Sequence, residues 1–278
     1  MNRRNLLIGT ACLSLLPMAS RSSLIHAQSK SAPKKGASAS LMKPLMAVNI
    51  SGKQRTLALR AARAYSQLGL GVLPQRSSPV LQDSIASFDD GLRGLADFGR
   101  GKASAAFVLR QAEGWAGLRE ILREAPSPEG AAALSAALEK VIPLCTDAHD
   151  QIVKELANPA ADTIRRSGRQ RFLSQRAAQL FMFREWGVIR GDFKDIDALI
   201  AESRKIRDDL RRIPDFSTEV RRALDLAEGQ WVFFDEALRA QQRGKADDIS
   251  RRNVATTSER LLEIFDNLTL QVVAQYES

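Results

Sequence analysis

Residues 51–60 read SGKQRTLALR, and residues 167–176 read SGRQRFLSQR. At this offset of 116 residues, Ser51, Gly52, Gln54, Arg55, Leu57 and Arg60 fall on Ser167, Gly168, Gln170, Arg171, Leu173 and Arg176. The same offset carries Ala61-Ala62 onto Ala177-Ala178 and Gly71-Val72 onto Gly187-Val188, and Ala112-Glu113-Gly114 meets Ala227-Glu228-Gly229 at an offset of 115. A period this long describes a whole domain, because solenoid units repeat every 20 to 50 residues or so, roughly. The chain therefore reads as a covalent pseudo-dimer. Whatever a two-fold pair of this unit does between subunits, one chain does within itself.

Residues 1–27 read as a targeting segment. Asn2-Arg3-Arg4-Asn5-Leu6-Leu7-Ile8 resembles a twin-arginine export signal, with Asn2 in place of the usual Ser or Thr. The apolar stretch at 6–18 is shorter than the roughly 20 residues a spanning helix needs, and Ile25-His26-Ala27 offers a small residue for cleavage. Export to the periplasm is the expectation, with no stable membrane insertion after cleavage. Residues 28–43 are small, polar and basic, the composition of a flexible linker. Loss of residues 1–27 removes Arg3, Arg4, Arg21 and Cys12 and no acid, lowering the formal net charge of +9 to +6. Cys145 is then the sole cysteine, so no internal disulfide forms and packing must hold the fold. Acids are interspersed throughout, and an envelope location argues against nucleic acid; small anions are the fitting partners of a basic exported protein.

From residue 44 onward the pattern is helical, without sustained alternation. Breakers at 69–79, 98–102, 125–129, 158–159, 187–193, 213–218 and 242–245 cut the chain into eight segments, four per repeat. Short connections make consecutive helices antiparallel neighbours. The expected fold is all-α: two tandem four-helix up-and-down bundles, 44–157 and 160–276, forming a pseudo-two-fold pair.

The repeated motif opens each half. Leu57, Ala61, Ala64 and Leu68 recur at helical spacing, as do Leu173, Ala177 and Leu180, so this stripe should enter the unit's own core. At about 100° per residue, Arg55 lies roughly 200° from Leu57, on a stripe with Gly52 and Leu59; Gly168, Arg171 and Gln175 form its counterpart. Arg55 and Arg171 should thus face out of their own bundles, with Gly52 and Gly168 allowing another backbone to come close. Two like charges in a seam between halves repel, and a bound planar oxyanion would relieve them through the guanidinium fork. Arg60 and Arg176, at the edge of the buried stripe, are expected to be structural, paired with an acid of the same half such as Glu113 or Glu228. Trp115 and Trp231 are expected to fill core rather than to anchor a partner.

The motif Ser-Gly-Arg-Gln-Arg-Phe-Leu-Ser-Gln-Arg at 167–176 resembles the signature of the PilJ-type sensory domain. That domain is the N-terminal module of type IV pili methyl-accepting chemotaxis transducers, and is related to the sensor regions of nitrate/nitrite-responsive kinases. The first copy departs from the pattern, with Thr56 for a large apolar residue and Ala58-Leu59 for Ser174-Gln175. The resemblance implies four-helix domains that bind nitrate or nitrite at their mutual interface. Carried over, the ligand-binding residues are Arg55, Arg171, Gly52, Gly168, Ser51 and Ser167, and the partners are the small anion and an envelope signalling protein or sensor kinase. No cofactor is implied. The alternative is a ligand-free adaptor that docks another envelope protein through its helical surface.

No enzyme is expected. His26 and His149 are the only histidines, no Cys/His cluster has metal-ligand spacing, and no Gly-x-Ser-x-Gly occurs. The run Gly99-Arg100-Gly101-Lys102-Ala103 lacks the upstream glycine and following Ser/Thr of a phosphate loop. Cys145 and His149, one turn apart, read as buried packing. Replacing Arg3 and Arg4 together by lysine should trap the precursor inside the cell, which fractionation and immunoblotting would register. Normal export of that variant would leave only ordinary secretion.

Overall fold

The computed structural model describes residues 42–190, 192–244 and 246–277, so the export segment at 1–27 and the linker up to residue 41 lie outside the described residues. Eight helices occur among the described residues: α1 (Pro44–Gly69), α2 (Pro74–Gly99), α3 (Ser104–Arg123), α4 (Pro128–Leu156), α5 (Pro159–Glu185), α6 (Lys194–Arg211), α7 (Thr218–Gln242) and α8 (Asp248–Glu277). No strand occurs among them, and no helix is long and apolar enough to cross a membrane.

The helix ends carry the chemistry that the breakers imply. Ser127 caps α4 by accepting from the Gly130 N–H at 3.0 Å, and Asn158 caps α5 by accepting from Ala160 at 2.9 Å, each followed by a proline in the first turn. The matched Gly71 and Gly187 are one turn built twice. Both take left-handed φ, 68° and 74°, and Val72 N–H donates to Gln67 at 2.7 Å as Val188 N–H donates to Phe183 at 2.9 Å. One break is shorter than expected. Helix α2 starts at Pro74 and carries Pro79 within its second turn, where the lost N–H is tolerated close to the helix start.

Helix α1 packs against α2, α4 and α5, and α5 packs against α1, α6 and α8, so the two motif helices lie side by side. Both are buried almost all round. No residue of α1 from Leu45 to Leu68 is exposed, nor any of α5 from Arg166 to Glu185. The expected apolar stripe is in place: Leu57, Ala61 and Ala64 pack with Phe88, Trp115, Leu134 and Leu138. Trp115 (1 % exposed) stacks on Phe88 at 3.7 Å, and Trp231 (3 %) meets Phe234 edge-on, so both fill core. Beyond the clusters belonging mainly to each half, a third draws residues from all eight helices, including Val48, Leu95, Val108, Ile152, Ile164, Leu210, Leu224 and Leu268. The hydrophobic interior therefore runs continuously across the repeat boundary.

The opposite faces of α1 and α5 are equally buried, although they are polar. Ser51, Gln54, Arg55, Thr56 and Arg63 are buried on α1; Ser167, Gln170, Arg171, Ser174, Gln175 and Gln179 are buried on α5. A helix enclosed on all sides is ordinarily apolar all round. Here many of the polar groups find lateral partners, while the Gln54 amide, Thr56 Oγ1 and Arg55 Nε have none among the described residues. Arg60 Nη2 binds Glu259 of α8 at 2.7 Å and Arg60 also pairs with Asp83, while Arg63 pairs with the same Glu259 and donates to Gln175 Oε1 at 3.1 Å and the Ala255 carbonyl at 3.2 Å. Arg176 reaches Glu139 of α4 at 2.9 Å.

Arg60 finds the expected acid of its own half in Asp83 of α2, and it also reaches Glu259 of the other half. Arg176 departs from the expectation: its acid, Glu139, belongs to the other half, because burying α1 and α5 together puts α4 beside Arg176 as it puts α8 beside Arg60. Of the acids named beforehand, Glu228 binds Arg207 at 2.7 Å and Arg211 at 3.4 Å, and Glu113 makes no ion pair among the described residues.

Burial works to raise the Glu259 carboxyl, but Arg63 and Arg60 outweigh it and hold it below the usual range. A depressed folded-state value means that this stabilisation is complete above the ordinary glutamate range and is lost as pH falls through the depressed one. Glu259→Ala should cost about 3–5 kcal/mol at neutral pH, because Arg63 is left buried without a counter-ion. It should also flatten the acid limb of the stability profile. Urea titrations of both proteins between neutral pH and pH 3 test this, and an unchanged midpoint would contradict it.

Candidate functional site

The motif residues converge where α1, α4 and α5 meet. Gly52 and Arg55 lie one turn apart on α1, and His149, Thr146 and Cys145 line the facing side of α4. Phe172 of α5 closes the third side, with the Arg55 guanidinium 5.3 Å from its ring centre and Arg169 on the same ring at 4.4 Å. Arg171 precedes Phe172 on α5 and points about 100° away from it, toward Asp266 of α8.

Arg55 and Arg171 occupy matched positions and meet different fates. Arg171 is 1 % exposed and fully engaged: Nη1 binds Asp266 Oδ1 at 2.6 Å, and Nη2 donates to the Asn49 carbonyl across the seam at 3.3 Å. Asp266 also binds Lys53 at 2.6 Å. Burial works to raise its carboxyl, but Arg171 and Lys53 prevail and hold it below the usual range.

Arg55 is 6 % exposed and makes no ion pair among the described residues. Its Nη1 reaches Thr146 Oγ1 at a long 3.4 Å, and its Nε is buried without a partner. Burial first, then the neighbouring positive charge of Arg169, lowers its pKa to about 10. It therefore stays protonated at neutral pH. The result is a buried cation whose remaining neighbours are another arginine, an aromatic face and neutral dipoles. The exposed Asp150, one helical position past His149, opposes the shift only by its field.

His149 adds a neutral polar group to this corner. It is 1 % exposed, and burial together with the Arg55 charge pushes its pKa down to about 3. Nδ1 lies 2.9 Å from Ser51 Oγ, and Nε2 has no partner among the described residues. The Ser51 hydroxyl also lies 3.1 Å from the Val48 carbonyl, so two proton arrangements are open to it. If Ser51 donates to Val48, Nδ1–H donates to Ser51 and Nε2 is a bare lone pair. If Ser51 instead donates to Nδ1, the imidazole proton moves to Nε2, which becomes a donor.

The same inequality holds at the other matched polar pair. Gln170 of α5 donates to the Ser203 carbonyl at 3.0 Å and accepts from its hydroxyl, whereas both amide atoms of Gln54 are buried and unpartnered. Ser167 is bound only to its own helix, at the Ile164 carbonyl, 2.9 Å away. At the matched arginine and glutamine positions, 55/171 and 54/170, the second copy's side chain is partnered and the first copy's is left open.

The glycines do not serve a backbone approach, contrary to the sequence expectation. A Cβ on Gly52 would stand 3.2 Å from His149 Cε1, and one on Gly168 would come within 2.8 Å of Arg171 Nη2. Gly52 makes room for the imidazole and Gly168 for the arginine folding back over its own helix. The outward-facing assignment also needs amendment: each arginine lies at the seam, but flanked by the last helix of its own half. His149 was legible beforehand only as packing. Its i,i+4 spacing from Cys145 placed both on one helical face, but nothing in sequence put Ser51 opposite it. Burial raises the Cys145 thiol to about 12, which keeps it protonated and unreactive.

No group of His, Cys, Asp and Glu side chains suited to holding a metal occurs among the described residues. Comparison with protein families, with characterised sequences and with solved structures found no match.

The inequality of the arginines makes opposite predictions for the same substitution. Arg55→Met removes an uncompensated buried charge and should leave the ligand-free protein as stable or up to about 2 kcal/mol more stable. Arg171→Met strands Asp266 and should cost about 3 kcal/mol, the lower end of the range for a broken buried pair because Lys53 remains. Chemical denaturation of the two variants measures both, and equal losses would refute the assignment.

Proposed function

We propose that the chain is an exported ligand-binding protein of PilJ-type ancestry, in which two four-helix repeats pair about a pseudo-two-fold axis and hold a small planar oxyanion, nitrate or nitrite, at the seam. It reports occupancy to an envelope signalling protein or sensor kinase. The observation that carries the reading is Arg55: a buried guanidinium with no carboxylate partner and no partner at Nε among the described residues, near an imidazole whose Nε2 has none among them either. Such a group is unfavourable in an empty protein and favourable in an occupied one. The duplicated motif and the packing of α1 on α5 support the pairing of the repeats.

The anion is held on the α1–α4 side. Arg55 supplies the charge and the planar fork, His149 supplies a donor once its proton sits on Nε2, and Ser51 and Gly52 set the imidazole in place. Arg171 contributes its field, its own fork being closed by Asp266. Two charge-assisted contacts worth about 1.5–3 kcal/mol each leave binding short of the ~8 kcal/mol of a micromolar site unless the dry seam strengthens them. A dissociation constant in the high-micromolar to millimolar range is the natural consequence.

A second reading, the ligand-free adaptor, is favoured by the exposed apolar side chains of α7: Phe233 at 68 %, Val232 at 63 % and Leu226 at 53 %. The two are separated by thermal melting of the mature protein. Nitrate or nitrite at millimolar concentration should raise the melting temperature, chloride at matched ionic strength should not, and Arg55→Met should abolish the response. Arg55→Lys should restore little of it, because a point charge cannot reproduce the planar fork. No shift with either anion would leave the adaptor.

A further inference from the structure

A cleft of 540 Å³ opens where the α1–α2 turn faces the middle of α8. Leu73, Pro79, Val80 and Ala255 give it apolar walls. Its volume suits a compact organic molecule and far exceeds what nitrate would fill.

The charges on its rim do not balance. Glu259 is committed to Arg60 and Arg63, and Arg260 pairs with Glu263 at 3.0 Å. Arg76, exposed on the first turn of α2, makes no ion pair among the described residues. Deeper on the wall, Gln67 is 2 % exposed. Its Oε1 accepts from Ser77 Oγ at 3.0 Å, while its Nε2 is buried without a partner. Gln67 thus lines the cleft with a buried amide group left unmatched, below a rim on which Arg76 makes no ion pair among the described residues.

Two further observations set this place apart. Leu73 takes φ 48°, a left-handed conformation that leucine rarely adopts, and it does so on the cleft wall. At the repeat offset of 116 residues, Phe183 and Phe193 stand where the first half has Gln67 and Ser77. The second half thus carries two aromatic rings at the positions where the first carries a hydrogen-bonded polar pair with one donor group left over.

We propose that this cleft binds a small organic monoanion with an apolar body, an aliphatic or aromatic carboxylate. The carboxylate is held by Arg76 and by the Gln67 amide N–H, and the hydrocarbon lies against Leu73, Pro79, Val80 and Ala255. The site is separate from the Arg55 seam and does not depend on it.

Hexanoate is the probe, titrated into the mature protein and followed by calorimetry and by saturation-transfer NMR. Saturable binding is expected, with acetate at least tenfold weaker and hexylamine inactive. Arg76→Glu, at an exposed and unpaired position, should fold normally by circular dichroism and weaken hexanoate at least tenfold. Gln67→Leu should weaken it severalfold while keeping the wall filled. Arg55→Met should bind hexanoate as the parent does, even though it no longer responds to nitrate. Hexanoate binding no tighter than acetate, binding undiminished in Arg76→Glu, or binding lost in Arg55→Met would each overturn the assignment.

Discussion

Glu259 sits on α8 and holds two arginines of α1, Arg60 and Arg63, across the boundary between the repeats. Arg63 has no exposure at all, and an isolated guanidinium there would carry a desolvation penalty of several kcal/mol. With the carboxylate in place, the two central helices can be enclosed although neither is apolar. Several of their other polar groups follow suit: Gln175 accepts from Arg63 and donates to the Ser258 carbonyl, and Arg171 ties Asp266 to the Asn49 carbonyl. An apolar seam of alanines and leucines would tolerate a slip of one turn at modest cost. A seam of directed hydrogen bonds tolerates none, because each slip strands several buried groups at once.

Periodicity and breakers made the helices legible in the sequence. Seven breaks yielded eight helices because Gly, Pro, Ser and Asn act locally at helix ends, and local chemistry does not depend on the neighbours. Even the turn at Gly71 and Gly187 was visible as a matched pair. Pro79 misled because a proline near the start of a helix loses little, so its presence lengthened the apparent break.

The partners of the arginines were not legible. A helical wheel gives the face on which Arg55, Arg60 or Arg171 lies, but not which of several acids on other helices will stand opposite. Glu259 and Asp266 belong to α8, whose position beside α1 and α5 follows from packing of the whole molecule. The fates of the matched arginines illustrate the limit well. The matched motif named Arg55 and Arg171 alike as anion ligands, whereas Asp266 closes Arg171 and Arg55 has no carboxylate partner among the described residues. The roles of Gly52 and Gly168 were hidden for the same reason, since each makes room for a particular side chain placed there by tertiary contacts.

In a symmetric homodimer, both arginines on the axis would have the same surroundings, and a ligand between them could lie either way round with equal energy. Two matched positions within one chain carry no such obligation. One guanidinium is a rivet, sealed by its own carboxylate; the other is left unsealed. An anion bound there as proposed would have a single pose and would lean on α4 rather than α8, so any strain it imposed would fall on one flank of the molecule.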